Sequence, residues 1–280
     1  MSFVAEWIIH ALNADRSPGL AGYCQALRPA CETAPPPFGT QRYGEVFRAA
    51  AADPDWLAAS LVTNAQREAE GAARLWSLAA STTDPRVAGL VKQHAVDESR
   101  HARWYITILD LAFPGALDES MRAHADAISP RYTVLMVPQP EAGSPFAHQV
   151  TLDDLVQMNI AEIRTAINQQ LQLPVLMAYC GPERQSKLAF LLKALARDEL
   201  DHIGYSARLI GELAKDADGG CLADLVTERV QDFNEITCAE VELGVFPLHC
   251  SSRQCVRGAG APPTCARARR AAPVGEPSPA

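Results

Sequence analysis

A chain of 280 residues that is 48% hydrophobic and 6% aromatic can build a substantial, helix-leaning core, as one large domain or two small ones. Its net charge of −8 speaks against a general nucleic-acid binder. No apolar run reaches roughly 18 residues and Glu6 interrupts an N-terminus without a basic segment, so neither a membrane span nor a secretory signal is expected, and cysteines without a C-x-x-C pair read as free thiols in a reducing cytoplasm.

Residues 2–13 read as a short amphipathic helix with Phe3, Trp7, Ile8 and Leu12 on its apolar side, packed outside the main body. Residues 15–40 carry Ser17-Pro18-Gly19, Pro29 and Pro35-Pro36-Pro37, which is loop composition. Arg42 to Ala52 reads as a short helix, after which Asp53 caps the next one and Pro54 takes its first position. The first long helix is predicted from Pro54 to about Ala80. Leu57, Leu61, Ala65, Glu68, Ala72, Leu75 and Ala79 form one inward stripe. Glu68 lies in the middle of it, whereas Glu70 faces elsewhere. A carboxylate on an apolar stripe is costly unless it is paired or ligates a cation.

Thr83-Asp84-Pro85 opens a second helix whose stripe is Val87, Val91, His94, Glu98, His101, Tyr105, Ile108 and Ala112. Pro114-Gly115 ends it. Residues 114–150 are proline-rich and read as a long crossover, with a short helix over Asp118 to Ala127. Thr151 caps a third long helix with Leu155, Asn159, Glu162, Ala166, Gln169 and Leu173 inward and a kink at Pro174. Gly181-Pro182 turns the chain into a fourth, with Leu188, Leu192, Leu195, Glu199, His202, Ser206, Leu209 and Leu213 on its stripe. A fifth helix follows over 221–244, its apolar side made by Leu225, Val226, Val230, Phe233 and Ile236. From residue 246 the composition turns to Arg, Ala, Pro and Gly and reads as a disordered tail, and the spacing of His249, Cys250, Cys255 and Cys265 fits no standard zinc pattern. This divides the chain into a peripheral segment (1–53), a helical domain (54–245) and a tail (246–280).

One motif occurs twice. Asp97 to His101 and Asp198 to His202 both read D-E-x-x-H. Residues three apart share a helix face, so Glu98 pairs with His101 and Glu199 with His202. Each pair follows a lone inward glutamate, Glu68 or Glu162, by 30 and 37 residues. That is room for a helix hairpin. Four carboxylates and two imidazoles carry four negative charges, which two divalent cations balance. Bridging carboxylates with imidazole suit iron, and two Fe(II) ions held this way can reduce O2.

The pattern resembles the ferritin-like superfamily of di-iron carboxylate proteins over about residues 54–215. Glu68-Ala-Glu-Gly-Ala-Ala-Arg-Leu-Trp-Ser-Leu-Ala is similar to the first ligand helix of rubrerythrin-like proteins, where the leading glutamate ligates. The resemblance implies an all-α four-helix bundle with a long crossover between its second and third helices and extra peripheral helices. It implies two iron ions (Fe2+/Fe3+) on Glu68, Glu98, His101, Glu162, Glu199 and His202. Glu98 and Glu199 would bridge, Glu68 and His101 would complete one site, and Glu162 and His202 the other. Asp97 would orient His202, and Asp198 would orient His101. No catalytic residue separate from the metal ligands is implied. The arylamine N-oxygenase branch adds a histidine four residues before the later motif glutamate, where this chain has Leu195. Here His94 stands before the earlier one, as a candidate extra ligand or hydrogen-bond partner. Trp104 and Tyr205, three residues after each motif histidine, read as core.

These expectations describe a cytoplasmic di-iron monooxygenase or oxidase that uses O2 to oxidise a small organic substrate by N-oxygenation or hydroxylation. It would draw electrons from a reductase or ferredoxin, could pair as a homodimer, and would bind neither nucleic acid nor membrane. The alternative is a rubrerythrin- or ferritin-like protein that handles iron or reduces peroxide. The missing rubredoxin-type cysteine pair and the chain length weigh against it.

Overall fold

Aspartate-proline pairs start the first two long helices. Asp53 accepts from the backbone N–H of Asp55 and Trp56, with Pro54 at the first helical position. Asp84 does the same for Arg86 and Val87, ahead of Pro85. Both caps satisfy amide groups that the first turn leaves orphaned. Thr151 and Asp154 start the third long helix with a reciprocal capping box.

The computed structural model describes residues 2–14, 18–128, 140–141, 143–216 and 219–242. Among them the chain is all-helical: α1 (Phe3–Ala11), α2 (Ala21–Thr33), α3 (Gln41–Ala50), α4 (Pro54–Ser81), α5 (Pro85–Ala112), α6 (Glu119–Ile128), α7 (Leu152–Tyr179), α8 (Gln185–Leu213) and α9 (Gly219–Glu242). Short turns join α4 to α5 and α7 to α8, and each pair packs as a hairpin. The hairpins meet through α5 against α8 and α7. The buried residues of α4 are Leu57, Leu61, Ala65, Glu68, Ala72, Leu75 and Ala79, the stripe its spacing predicts. The end of the crossover is tied to α4 by the His148 N–H, which donates to the Ser81 carbonyl at 2.7 Å.

α1, α2 and α3 share one core with the long helices, through Ile8, Tyr23, Leu27 and Phe47 among others. α2 packs on α8 and α9. The fully buried Tyr23 hydroxyl donates to Asn159 Oδ1 at 2.8 Å. Asn159 Nδ2 in turn donates to the Ile203 carbonyl and to Ser206, which ties α2, α7 and α8 together.

α2 corrects the loop expected over residues 15–40, since it runs through Pro29. α7 likewise continues through Pro174 to Tyr179. Proline deprives the carbonyl four residues earlier of its partner. Those carbonyls belong to Gln25 and Gln170, both exposed, so water satisfies them. Burial of Tyr23, Cys24, Ala26, Leu27, Ala30 and Cys31 then outweighs the proline in α2. Three residues assigned to apolar faces, Phe3, Leu213 and Ile236, are exposed. Val4, Ala5, Ile8 and Ile9 are the buried ones in α1, and Leu222, Val226, Val230, Thr237 and Val241 in α9. The tail expected from residue 246, with its cysteines and His249, lies outside the described residues. No helix among the described residues is long and apolar enough to cross a membrane.

Candidate metal centre

The inward stripes of α4, α5, α7 and α8 each place a carboxylate at mid-length, and all four carboxylates are buried. Glu68, Glu98 and Glu162 are 6–9% exposed and Glu199 is fully buried. Glu70 is exposed. The structure brings Glu68, Glu98, Glu162, Glu199, His101 and His202 together, and adds His94. The donors fall into two groups sharing Glu98. One is Glu68, Glu98, His101 and Glu199; the other is His94, Glu98, Glu162 and His202.

His101 Nδ1 lies 3.3 Å from Glu98 Oε1, 3.5 Å from Glu199 Oε1 and 3.9 Å from Glu68 Oε2. His202 Nδ1 lies 3.5 Å from Glu98 Oε1, 3.5 Å from Glu199 Oε2 and 4.0 Å from Glu162 Oε2. Glu199 therefore shows one oxygen to each imidazole. His94 Nε2 is 3.2 Å from Glu162 Oε1 and 3.5 Å from Glu98 Oε1.

These approaches lack hydrogen-bond geometry. His94 Nε2, Glu98 Oε1, His101 Nδ1, Glu199 Oε2 and His202 Nδ1 are all buried without a hydrogen-bond partner. One orphaned buried polar atom costs about 1–3 kcal/mol, so several converging on one place call for a ligand. Donors about 2.1 Å from one cation stand about 3.0 Å apart at right angles and about 3.4 Å apart at tetrahedral angles. The observed spacings fit such an ion, and four carboxylates balance two divalent charges.

The outward nitrogens of the imidazoles are anchored. His101 Nε2 is 3.3 Å from Asp198 Oδ2, and His202 Nε2 is 3.5 Å from Asp97 Oδ2. These contacts cross between α5 and α8. Arg100, absent from the sequence reasoning, links the two aspartates, donating to Asp97 Oδ1 at 2.7 Å and to Asp198 Oδ2 at 2.8 Å. Its guanidinium lies over the Trp104 ring, which stacks on His101. Tyr205, read as core, is buried but also 2.8 Å from His94 Nδ1. Gln169 donates to Glu199 Oε1 at 2.7 Å. Sequence spacing did not pair Arg100 with Asp198, Tyr205 with His94 or Gln169 with Glu199, because each of these pairs spans two helices.

The electrostatics follow from crowding. Burial, with Glu98 beside it, pushes Glu68 well above the usual carboxylate range. Burial and Glu162 push Glu199 up to about 7. Burial also disfavours charge on Glu98, but the close approach of Glu68, His101 and His94 outweighs it and holds Glu98 well below the usual range. Against the same penalty, His94 lowers Glu162. Burial opposes the imidazolium of His101, yet Asp198 and Glu98 raise it to about 10. His202 rises similarly with Asp97 and Glu199. Burial raises Asp198, but His101 and Arg100 prevail and pull it to about 2. Without a cation the cluster thus balances its charge with protons on Glu68, Glu199 and the imidazoles.

Two clefts flank the long helices. One, of about 510 Å3, lies between Thr82–Val87 and Glu212–Leu213 and contains none of these donors. The other, of about 600 Å3 and partly open to solvent, reaches Glu68 itself. Comparison with family models, curated proteins and solved structures found no match to this chain.

Proposed function

We propose that α4, α5, α7 and α8 form a ferritin-like four-helix bundle holding two iron ions, and that the protein is an O2-dependent oxidoreductase acting on a small organic molecule. The observation that carries this reading is the convergence of unpartnered buried nitrogens and oxygens, backed by four carboxylates, at mid-length of four helices. Glu68, Glu98, His101 and Glu199 would hold one ion. His94, Glu98, Glu162 and His202 would hold the other, with the second oxygen of Glu199 facing it. Such a pair of ions, when bound, supplies the redox chemistry that couples O2 reduction to oxidation of an organic substrate.

The chain's own residues supply the rest. Asp198 and Asp97 fix the His101 and His202 rings and keep their Nε2 protons outward, so that Nδ1 offers its lone pair inward. Arg100 spans both aspartates and keeps them ionised. Gln169 orients Glu199 by donating to one of its oxygens. Ala65, Ala72, Ala166 and Leu195, all buried one turn away on the same stripes, exclude bulk water. A reductase or ferredoxin would deliver the electrons.

The cleft that reaches Glu68 favours an organic substrate over iron storage. At its outer end, away from Glu68, Arg67 and Arg164 share Glu240, a cationic entrance that repels free metal ions.

The test is anaerobic loading of the purified protein with Fe(II), followed by O2. About two irons per chain are expected, with the Mössbauer signature of an exchange-coupled pair and a raised melting temperature. Folded protein that takes up no iron overturns the reading. Assembly into a mineral-filled shell would replace it with iron storage.

A further inference from the structure

α4 and α7 scarcely touch each other, and the cleft reaching Glu68 occupies the gap between them. Phe233 and Glu240 of α9 line its outer side; Glu68 and Tyr105 line its inner one. The charged groups here are unevenly matched. Glu240 Oε1 accepts from Arg67 at 2.8 Å, and Glu240 Oε2 accepts from Arg164. Each guanidinium has five N–H donors and commits one terminal nitrogen to Glu240; neither makes another hydrogen bond among the described residues. Arg164 is 8% exposed and lines the cleft, so its remaining donors are largely shielded from bulk water. Glu68 lies at the inner end of the cleft, among the donors of the candidate metal centre. At the outer end two guanidiniums share the one carboxylate of Glu240.

A second observation is independent of the arginines. Gln172 lines the same cleft and is 5% exposed. Its Oε1 is buried without a partner, and neither end of its amide makes a hydrogen bond among the described residues. A buried unpaired amide costs free energy unless something that enters the cleft satisfies it.

We propose that this cleft binds a small organic anion, a carboxylate or phosphate ester, with its charged group on Arg67 and Arg164 and a hydrogen-bonding group on Gln172. The rest of the molecule then points past Tyr105 to Glu68, where oxidation would occur. The anion site stands on the cleft alone; its role as the substrate site rests on the di-iron reading. Planar guanidiniums suit both carboxylate and phosphate, and a lysine pair would not offer the same fork.

Calorimetric titration of the full chain, with and without iron, tests this with 4-hydroxybenzoate, phenyl phosphate and the uncharged 4-hydroxybenzamide. At least one anion is expected to bind about tenfold or more tightly than the amide. Arg67 is half-exposed, so Arg67→Gln should fold normally, and it should weaken the anion about tenfold while leaving the amide unchanged. Glu240→Gln releases both guanidiniums and should shift affinity the other way, tightening the anion several-fold. Equal binding of anion and amide, no binding of either anion, or anion affinity unchanged in both variants overturns the proposal. Iron is counted on the same samples. Two irons per chain without anion binding sinks the cleft and leaves the di-iron reading standing. Charge-dependent binding without iron uptake does the reverse.

Discussion

The His94 ring is held from behind by Tyr205, with Nδ1 2.8 Å from the phenol oxygen. The Tyr205 hydroxyl donates onward to Met158 Sδ at 3.0 Å. A thioether only accepts, so this chain assigns the proton between His94 and Tyr205 to Nδ1 and leaves Nε2 as a lone pair aimed at Glu98 and Glu162. Tyr205→Phe keeps the ring but strands that N–H. The expected result is a loss of about 10- to 100-fold in affinity for one of two metal ions, with the other unchanged. Stepwise Co(II) titration followed by absorbance resolves the two. Equal loss at both sites, or none, would show that His94 does not ligate.

Glu98 Oε1 lies within 3.5 Å of all three imidazoles, through His94 Nε2, His101 Nδ1 and His202 Nδ1. Glu98→Ala should therefore abolish loading at both sites. Glu70→Ala, on the exposed face of α4, should leave metal content unchanged and stability within about 0.5 kcal/mol. Metal analysis and thermal melts of the two variants separate a shared ligand from a generic loss of acidity.

What the sequence revealed was what has a helical period. Glu68, Glu98, Glu162 and Glu199 lie on apolar stripes that the 3.6-residue repeat makes visible, and the structure buries all four together. The cross-helix partners have no such signature. Arg100 stands at an unassigned position of its motif, and its two aspartates are on different helices. Tyr205 and Met158 meet His94 only because α5, α7 and α8 converge. Prolines misled in α2 because composition does not say which side faces water. The cleft was illegible for a related reason. Arg67 and Arg164 look like surface charge until α9 brings Glu240 between them.

Tyr23 tests the attachment of α2. Its hydroxyl is fully buried and serves Asn159 Oδ1. Tyr23→Phe removes the donor and leaves that oxygen unsatisfied, at a cost of about 1–3 kcal/mol. Urea denaturation at neutral pH measures it. A change under about 0.5 kcal/mol would mean that α2 is held by apolar burial alone.

Asp198 carries an acid-side prediction. His101 and Arg100 hold its carboxyl down at about 2, against an ordinary value of 3.8. A depressed carboxylate stabilises the fold above its unfolded value, and that contribution disappears as pH falls from about 4 to about 2. Asp198→Asn in metal-free protein should therefore cost on the order of 2 kcal/mol at pH 7. The gap between variant and parent should narrow below about pH 4. A constant gap in urea titrations from pH 7 to 3 would assign the loss to packing.

The imidazoles carry the opposite dependence. His101 is raised to about 10 in the metal-free fold. A raised histidine stabilises fully below its unfolded value of about 6.5, and the contribution is lost as pH climbs toward 10. Metal-free protein should thus lose stability from about pH 6.5 upward. Metal binding runs the other way, because His101 must give up its proton, as must Glu199, which titrates near 7. Each displaced proton makes apparent affinity rise about tenfold per pH unit until the group is deprotonated. The increase in melting temperature produced by a fixed Mn(II) concentration should therefore grow between about pH 6 and 9, while the metal-free melting temperature declines. An increment that is flat or shrinks over that range would mean that Mn(II) binds away from His101 and Glu199.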